Sequence, residues 1–199
     1  LATLRRLVVL CRLYRVPYLV LHLSDHEAFR FPSQRFPEVV SAEHYSTVEL
    51  EALVADAAAA GVTLVPELDV PGHSRALVRA RPAVFGLANS AQNDGIVNLG
   101  RAATLAALEE LLGELAAAFA GSPWIHIGGD EVDLSGVDQD PDCQQRMREL
   151  GGDAHDLCRD FLVRMHAAVR RLGKRTLVWE GFGPGGLVAI PKDLTVIAW

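Results

Sequence analysis

The residues His126-Ile127-Gly128-Gly129-Asp130-Glu131 close an apolar run on two adjacent carboxylates. Acids placed there have three chemical uses. They can cap a following helix by accepting backbone N–H bonds, they can ligate a metal, or one of them can deliver a proton. The two glycines weigh against a plain cap, because they clear side-chain volume for a ligand or a neighbouring backbone. Proton delivery needs a carboxylic acid whose pKa is raised by burial or by a like charge, and the adjacent Asp helps to supply that charge.

Further candidates are spread through the chain. In LHLSDHEAFRF, His22 lies on a strand and Asp25 just past its end; the plain readings are a satisfied core imidazole and a turn-forming acid. In Glu67-Leu68-Asp69-Val70-Pro71-Gly72-His73, Pro-Gly supplies a turn, but a turn alone has no need of the bracketing Asp69 and His73. An Asp–His hydrogen bond would fix one imidazole tautomer and aim the other ring nitrogen into a site. His22, Asp25, Asp69, His73, His126 and Asp130 together offer Zn or Mn ligands. Paired histidine spacings that favour such sites are missing, except that His22 and His26 lie four apart across a strand end. No metal or other cofactor is expected. Ser24, Ser74 and Ser90 lack the G-x-S-x-G elbow of a serine nucleophile. Trp179 and Trp199, at strand ends, serve either as core plugs or, with Glu180 beside them, as walls for a sugar ring.

The elements that must position these side chains alternate. Leu4, Leu7, Val8, Leu10 and Cys11 recur at helical spacing within residues 1–14, and Pro17 ends that helix. Strands are predicted at 18–23, 62–66 (with Pro66 marking the end), 124–127, 176–179 and 195–199. Between them, helices are predicted from a Ser46-Thr47-Val48-Glu49 capping box to Gly61, over 74–80 with a stop at Pro82, over 101–120, and over 155–172 with Gly173 as C-cap. Residues 133–152 read as a loop containing a short helix.

Repeated strand, crossover helix and strand mean a parallel α/β sheet, either open and doubly wound or a barrel. No G-x-G-x-x-G follows the first strand and no G-x-x-x-x-G-K occurs, which lowers the nucleotide-binding folds. His22 and Asp25, Glu67 and Asp69, Asp130 and Glu131, and Trp179 and Glu180 all fall at C-terminal strand ends. Convergence of successive strand ends on one face is barrel behaviour. The fold expected is an incomplete (β/α)8 TIM barrel of about five parallel strands with outer helices. Residues 1–199 are then part of one barrel that lacks the first strand and the last strands. Asp25, Asp69, His73, Asp130, Glu131, Trp179 and Trp199 should share one concave mouth, with His126 pointing inward below them.

Composition removes several function classes. Half of the 199 residues are apolar, enough for a sizeable core, so disorder is excluded. A net charge of −6 without a basic run argues against a nucleic-acid partner. Charge or Gly interrupts each apolar stretch before the ~18 residues of a membrane helix. A secreted, periplasmic or lysosome-like placement follows if a signal precedes Leu1, and a cytoplasmic one otherwise. Cys143 and Cys158 could pair in an exported protein, leaving Cys11 free, or all three stay reduced. Nothing in the sequence specifies an oligomeric state.

Taken together, VPYLVLHLSDHEAFRFPSQRFPEV, VTLVPELDVPGHSRAL, WIHIGGDEV, RTLVWEGF and VIAW resemble glycoside hydrolase family 20, the β-N-acetylhexosaminidases, in family order over nearly the whole chain. HIGGDE is the most specific mark, supported by PELD-x-PGH. The resemblance implies a (β/α)8 barrel with its site at the C-terminal mouth and N-acetylated glycans or glycoconjugates as partners. It implies that Glu131 is the general acid/base and that Asp130 holds and polarises the substrate's 2-acetamido group. His73 would stand near the acid, Asp25 and His22 at the first strand end, Asp69 as support of the mouth, and Trp179 and Trp199 as pocket walls. One departure is that His26 stands where the family often has a second Asp.

Neighbouring acids in one turn are awkward for flanking an anomeric carbon from both faces, as most retaining glycosidases do. In the substrate-assisted route that the resemblance implies, the acetamido carbonyl is the nucleophile, the intermediate is oxazolinium-like and configuration is retained. The expected activity is therefore that of a retaining exo-β-N-acetylhexosaminidase acting on terminal N-acetyl-glucosamine or N-acetyl-galactosamine. The alternatives are a non-catalytic N-acetyl-glycan-binding barrel and a metal-dependent barrel hydrolase.

Overall fold

The structure is a computed structural model that describes residues 1–89, 91 and 93–198; Ser90 and Trp199, both named above, lie outside the described residues. Five strands form one parallel sheet in chain order: β1 (Tyr18–His22), β2 (Thr63–Glu67), β3 (Trp124–His126), β4 (Arg175–Trp179) and β5 (Thr195–Ile197). The order never reverses, as it would in a doubly wound sheet. With flanking helices it forms the arc of an incomplete (β/α)8 barrel.

The helices are α1 (Ala2–Leu13), α2 (Thr47–Ala59), α3 (Arg75–Ala80), α4 (Pro82–Phe85), α5 (Ala102–Ala118), α6 (Pro141–Leu150) and α7 (Ala154–Arg171). α2 starts at the predicted capping box: the Ser46 hydroxyl accepts from the Glu49 N–H, and the Glu49 carboxylate accepts from the Ser46 N–H. α7 starts at a second box built from Asp153 and Asp156, and buries Leu157, Phe161, Leu162, Met165 and Val169 along one face. On α1 only Val8 is buried, and Leu4 and Cys11 pack against the core. Leu7 and Leu10, whose spacing predicted the same packed face, stay 39% and 47% exposed.

Two proline readings need correction. Pro82 begins α4 rather than merely stopping α3, since a proline at the first helical position loses no intrahelical bond. Pro66 lies inside β2, paired with Leu21, instead of marking its end. The Leu68 N–H donates to the His126 carbonyl on β3; two residues earlier Pro66 has no N–H to give, and the Trp124 carbonyl accepts the Ser122 hydroxyl at 2.9 Å instead.

Side chains alternate across the sheet. Leu64, Ile125, Thr176 and Val178 are buried on the helix-facing side, where Thr176 bonds His166 of α7. His22, Glu67, His126 and Trp179 point to the other side and meet one another. All three cysteines are free; burial pushes the thiols of Cys143 and Cys158 up to about 12. Among the described residues no helix is long and apolar enough to cross a membrane.

Candidate active site

Three loops at the C-terminal strand ends, with Trp179 at the end of β4, build the site. After β1, the Asp25 N–H donates to the Ala28 carbonyl, and buried Phe29, Phe31 and Phe36 anchor the loop in the core. After β2, the Val70 N–H donates to the Ile127 carbonyl and the Ser74 hydroxyl to the Gly72 carbonyl, so the PGH turn is tied to β3 and to itself. After β3 the chain makes a tight turn in which Gly128, Gly129 and Glu131 have φ of 68°, 98° and 47°. The clearance expected of the two glycines is real, and protein groups fill it. A Cβ on Gly128 would overlap the Asp69 carboxylate, and one on Gly129 would lie 2.7 Å from Val178 Cγ2. The turn leads into no helix, so Asp130 and Glu131 cap nothing; α6 is capped by Asp140.

An open cleft of about 420 Å³ lies over the strand ends, walled by His22, Asp25, Glu67, Asp69, His73, Asp130 and Trp179. Its floor is organised by a residue that sequence reasoning left out of the site, Glu67. This carboxylate is 2% exposed; Oε2 meets His22 Nδ1 at 2.8 Å, and Oε1 accepts from Trp179 Nε1 at 2.8 Å with His126 Nδ1 at 3.1 Å. The signal was available: Glu67 ends the apolar strand TLVPE in the phase that faces the barrel interior. Burial opposes its charge, but the His126 and His22 rings against it outweigh burial and hold Glu67 at about 2. The bond to Glu67, against desolvation, lifts His22 to about 9. His22 Nε2 reaches Asp25 Oδ2 at 3.1 Å, completing a chain from Asp25 through His22 to Glu67. His126 is fully buried below, its ring 4.7 Å from that of Trp179.

A second chain runs from Asp69 to Glu131. Asp69 Oδ2 holds His73 Nδ1 at 2.7 Å, and His73 Nε2 lies 3.4 Å from Glu131 Oε2. The Gly129 N–H reaches Asp69 Oδ1 at 3.3 Å. Burial pushes Asp69 up to about 6. Burial depresses His73, but Asp69 and then Asp130 and Asp25 outweigh it and raise its pKa. Two trios, His22 with Glu67 and Asp69, and Asp69 with His73 and Asp130, bring potential ligand atoms within 4.8 Å of one another. Each trio is already joined internally by a His–carboxylate hydrogen bond.

The expected single mouth is thus gathered in part. Asp25, Asp69, His73, Asp130 and Trp179 line it, but Glu131 turns to the far side of His73, with its side chain 61% exposed. Glu180, one residue past inward-facing Trp179, lines a separate hollow with Phe182 and Val196.

The sequence profile of the glycosyl hydrolase family 20 catalytic domain matches residues 1–199. The chain belongs to that family. One relative, the β-hexosaminidase of Vibrio furnissii, is 31% identical over 89% of this chain and 34% of its own length. Among solved structures, β-N-acetylhexosaminidase from Bacteroides fragilis superposes with a TM-score of 0.88 at 27% identity, over 100% of this chain and 42% of that one. The family 20 exo-β-N-acetylglucosaminidase of Vibrio harveyi, in complex with N-acetylglucosamine, gives 0.86 at 30% identity, over 98% and 35%. The chain therefore spans less than half the length of these curated relatives.

Proposed function

We propose that these residues are part of one catalytic barrel, that of a retaining exo-β-N-acetylhexosaminidase working by substrate assistance. Family membership supports the class of activity, and the exo-acting relative that binds N-acetylglucosamine supports the substrate class. The observation that carries the mechanism is the consecutive pair Asp130 and Glu131 in one turn, with the first facing the cleft and the second beyond His73. A pair on one turn does not suit attack and protonation from opposite faces of an anomeric carbon. The substrate's own acetamido group removes that requirement.

In the first step the acetamido carbonyl oxygen forms a bond to C1 as the glycosidic C1–O bond breaks. The proton of Glu131 passes to the departing oxygen. Asp130 accepts the acetamido N–H and stabilises the positive charge on the oxazolinium ring. In the second step water attacks C1, its proton goes to the Glu131 carboxylate, the ring opens and configuration is retained. The Asp69–His73 pair positions Glu131 through His73 Nε2, while Glu67 fixes His22 and Trp179 as walls for the sugar.

The test uses the full polypeptide. Glu131→Gln keeps size and removes the transferable proton, and should cut turnover of aryl N-acetyl-glucosaminides by ~10²–10⁴. Wild type should leave the matching plain glucoside near background, since that sugar supplies no nucleophile. Comparable rates on the two sugars, or inhibition by EDTA that zinc reverses, would overturn the mechanism.

A further inference from the structure

The turn that carries both acids is held by contact more than by hydrogen bonds. Backbone bonding stops at Gly129, whose N–H reaches Asp69 Oδ1 at 3.3 Å, and resumes at Asp133, whose carbonyl accepts from Asn93 at 3.1 Å. Among the described residues no hydrogen bond reaches the backbone of Asp130 or Glu131. Two glycines close on that bare stretch. A Cβ on Gly72, in the loop after β2, would lie 3.1 Å from the Asp130 carbonyl oxygen and 3.6 Å from Val132 Cα. A Cβ on Gly181, in the loop after β4, would lie 3.0 Å from the Gly129 carbonyl oxygen and 3.2 Å from Asp130 Cα. Neither glycine has a left-handed φ, so space and not torsion calls for glycine at both places.

The two walls are fixed differently. The Gly72 wall belongs to the PGH turn, which the Val70 N–H ties to the Ile127 carbonyl. The Gly181 wall opens the loop 181–188, and α7 anchors that loop from the helix layer. Arg159 donates from Nε to the Val188 carbonyl at 2.8 Å and from Nη1 to the Gly183 carbonyl at 2.9 Å. Asp156 Oδ1 accepts the Leu187 N–H at 2.6 Å. Both side chains are buried, and neither lines the cleft.

We propose that Gly181 and Arg159 are positioning residues for Asp130: Arg159 fixes the loop after β4, and Gly181 passes that position to the acid turn by packing on the Asp130 backbone. The inference rests on the functional reading above, in which Asp130 meets the acetamido N–H. A methyl at 181 forces the turn or the loop to give by a few tenths of an ångström. A misplacement of about 1 Å costs a catalytic group ~10²-fold, so this smaller one should cost roughly tenfold.

The experiment measures kcat/KM of the full polypeptide on two aryl N-acetyl-glucosaminides, one with a good and one with a poor leaving group. Urea unfolding checks that each variant folds. Gly181→Ala should lose roughly tenfold on both substrates, because Asp130 serves the acetamido group and not the departing oxygen. A loss confined to the poor leaving group would mean that the methyl displaces Glu131, and would overturn the assignment. Arg159→Met should show a smaller loss, again equal on both substrates; activity equal to wild type would count against the proposal even if Gly181→Ala failed to fold. Because Arg159→Met lets the loop retreat, Gly181→Ala should cost less in that background than alone. Strictly additive losses in folded variants would overturn the proposed link. Gly121→Ala puts the same methyl into open space ahead of β3 and should change nothing; an equal loss there would overturn the proposal too. No turnover of any N-acetylhexosaminide by wild type would overturn the functional reading and this inference with it.

Discussion

Glu67 and Asp130 are both acids on the wall of one cleft, and they live under opposite conditions. Glu67 is almost fully buried and its two oxygens meet His22, Trp179 and His126. Asp130 presents a buried Oδ1 with no hydrogen-bond partner, and His73 Nδ1 comes no closer than 3.8 Å. A buried acceptor without a donor costs free energy unless a ligand supplies one. Saturation thus separates the two acids: Glu67 fixes the geometry of its neighbours, and Asp130 keeps an unused acceptor, which on the proposed function is the one that takes the acetamido N–H.

The sharpest way to break this comparison is to truncate both. Glu67→Ala leaves the N–H donors of His22 and Trp179 without their acceptor and should cost about 3–5 kcal/mol in denaturant unfolding. Asp130→Ala removes a carboxylate whose Oδ1 accepts no hydrogen bond and meets His73 Nδ1 only at 3.8 Å, and should move unfolding by less than about 1 kcal/mol. Equal losses would show that saturation does not distinguish the two acids.

A smaller effect lies in pH. His22 is raised from its ordinary 6.5 to about 9, so its contribution is complete below 6.5 and is lost as pH rises through 9. Glu67 is lowered from 4.5 to about 2, so its contribution is complete above 4.5 and is lost as pH falls through 2. Between pH 4.5 and 6.5 both contributions are complete. Asp69, whose pKa burial raises from 3.8 to about 6, makes the urea midpoints decline there until it has ionised. They should fall further above 6.5 as His22 loses its proton, and fall on the acid side as Glu67 gains one. Glu67→Gln should flatten both limbs; limbs as steep as in wild type would place the titration elsewhere.

The mildest change sharpens the comparison as a control. Ser46→Ala breaks the α2 capping box and should cost about 1 kcal/mol of stability. Its kcat/KM should match wild type, because α2 lines no part of the cleft. A parallel loss of activity would mean that stability alone explains the behaviour of Glu67 variants.

Much of this architecture is legible in the sequence because local physics agrees with the fold. The capping box at Ser46, the amphipathic face of α7 and the glycines after β3 each announce one outcome. Pro66 is misleading because the missing N–H is compensated by Ser122, a residue far away along the chain. The inward phase of Glu67 on β2 is legible in the sequence, but the saturation of its two oxygens is not, because the three partners lie on three other strands. The parting of Asp130 and Glu131 around His73 depends on backbone torsion at the turn, which residue spacing does not encode. Glu180 is different: alternation alone sets it opposite Trp179.

Glu131 holds its left-handed φ of 47° in a conformation that glycine and asparagine adopt more easily. Either replacement would relieve the backbone while deleting the proposed acid. On the proposed function, the acid is thus placed where the chain would fold more stably without it, the exchange of stability for activity expected of a working site.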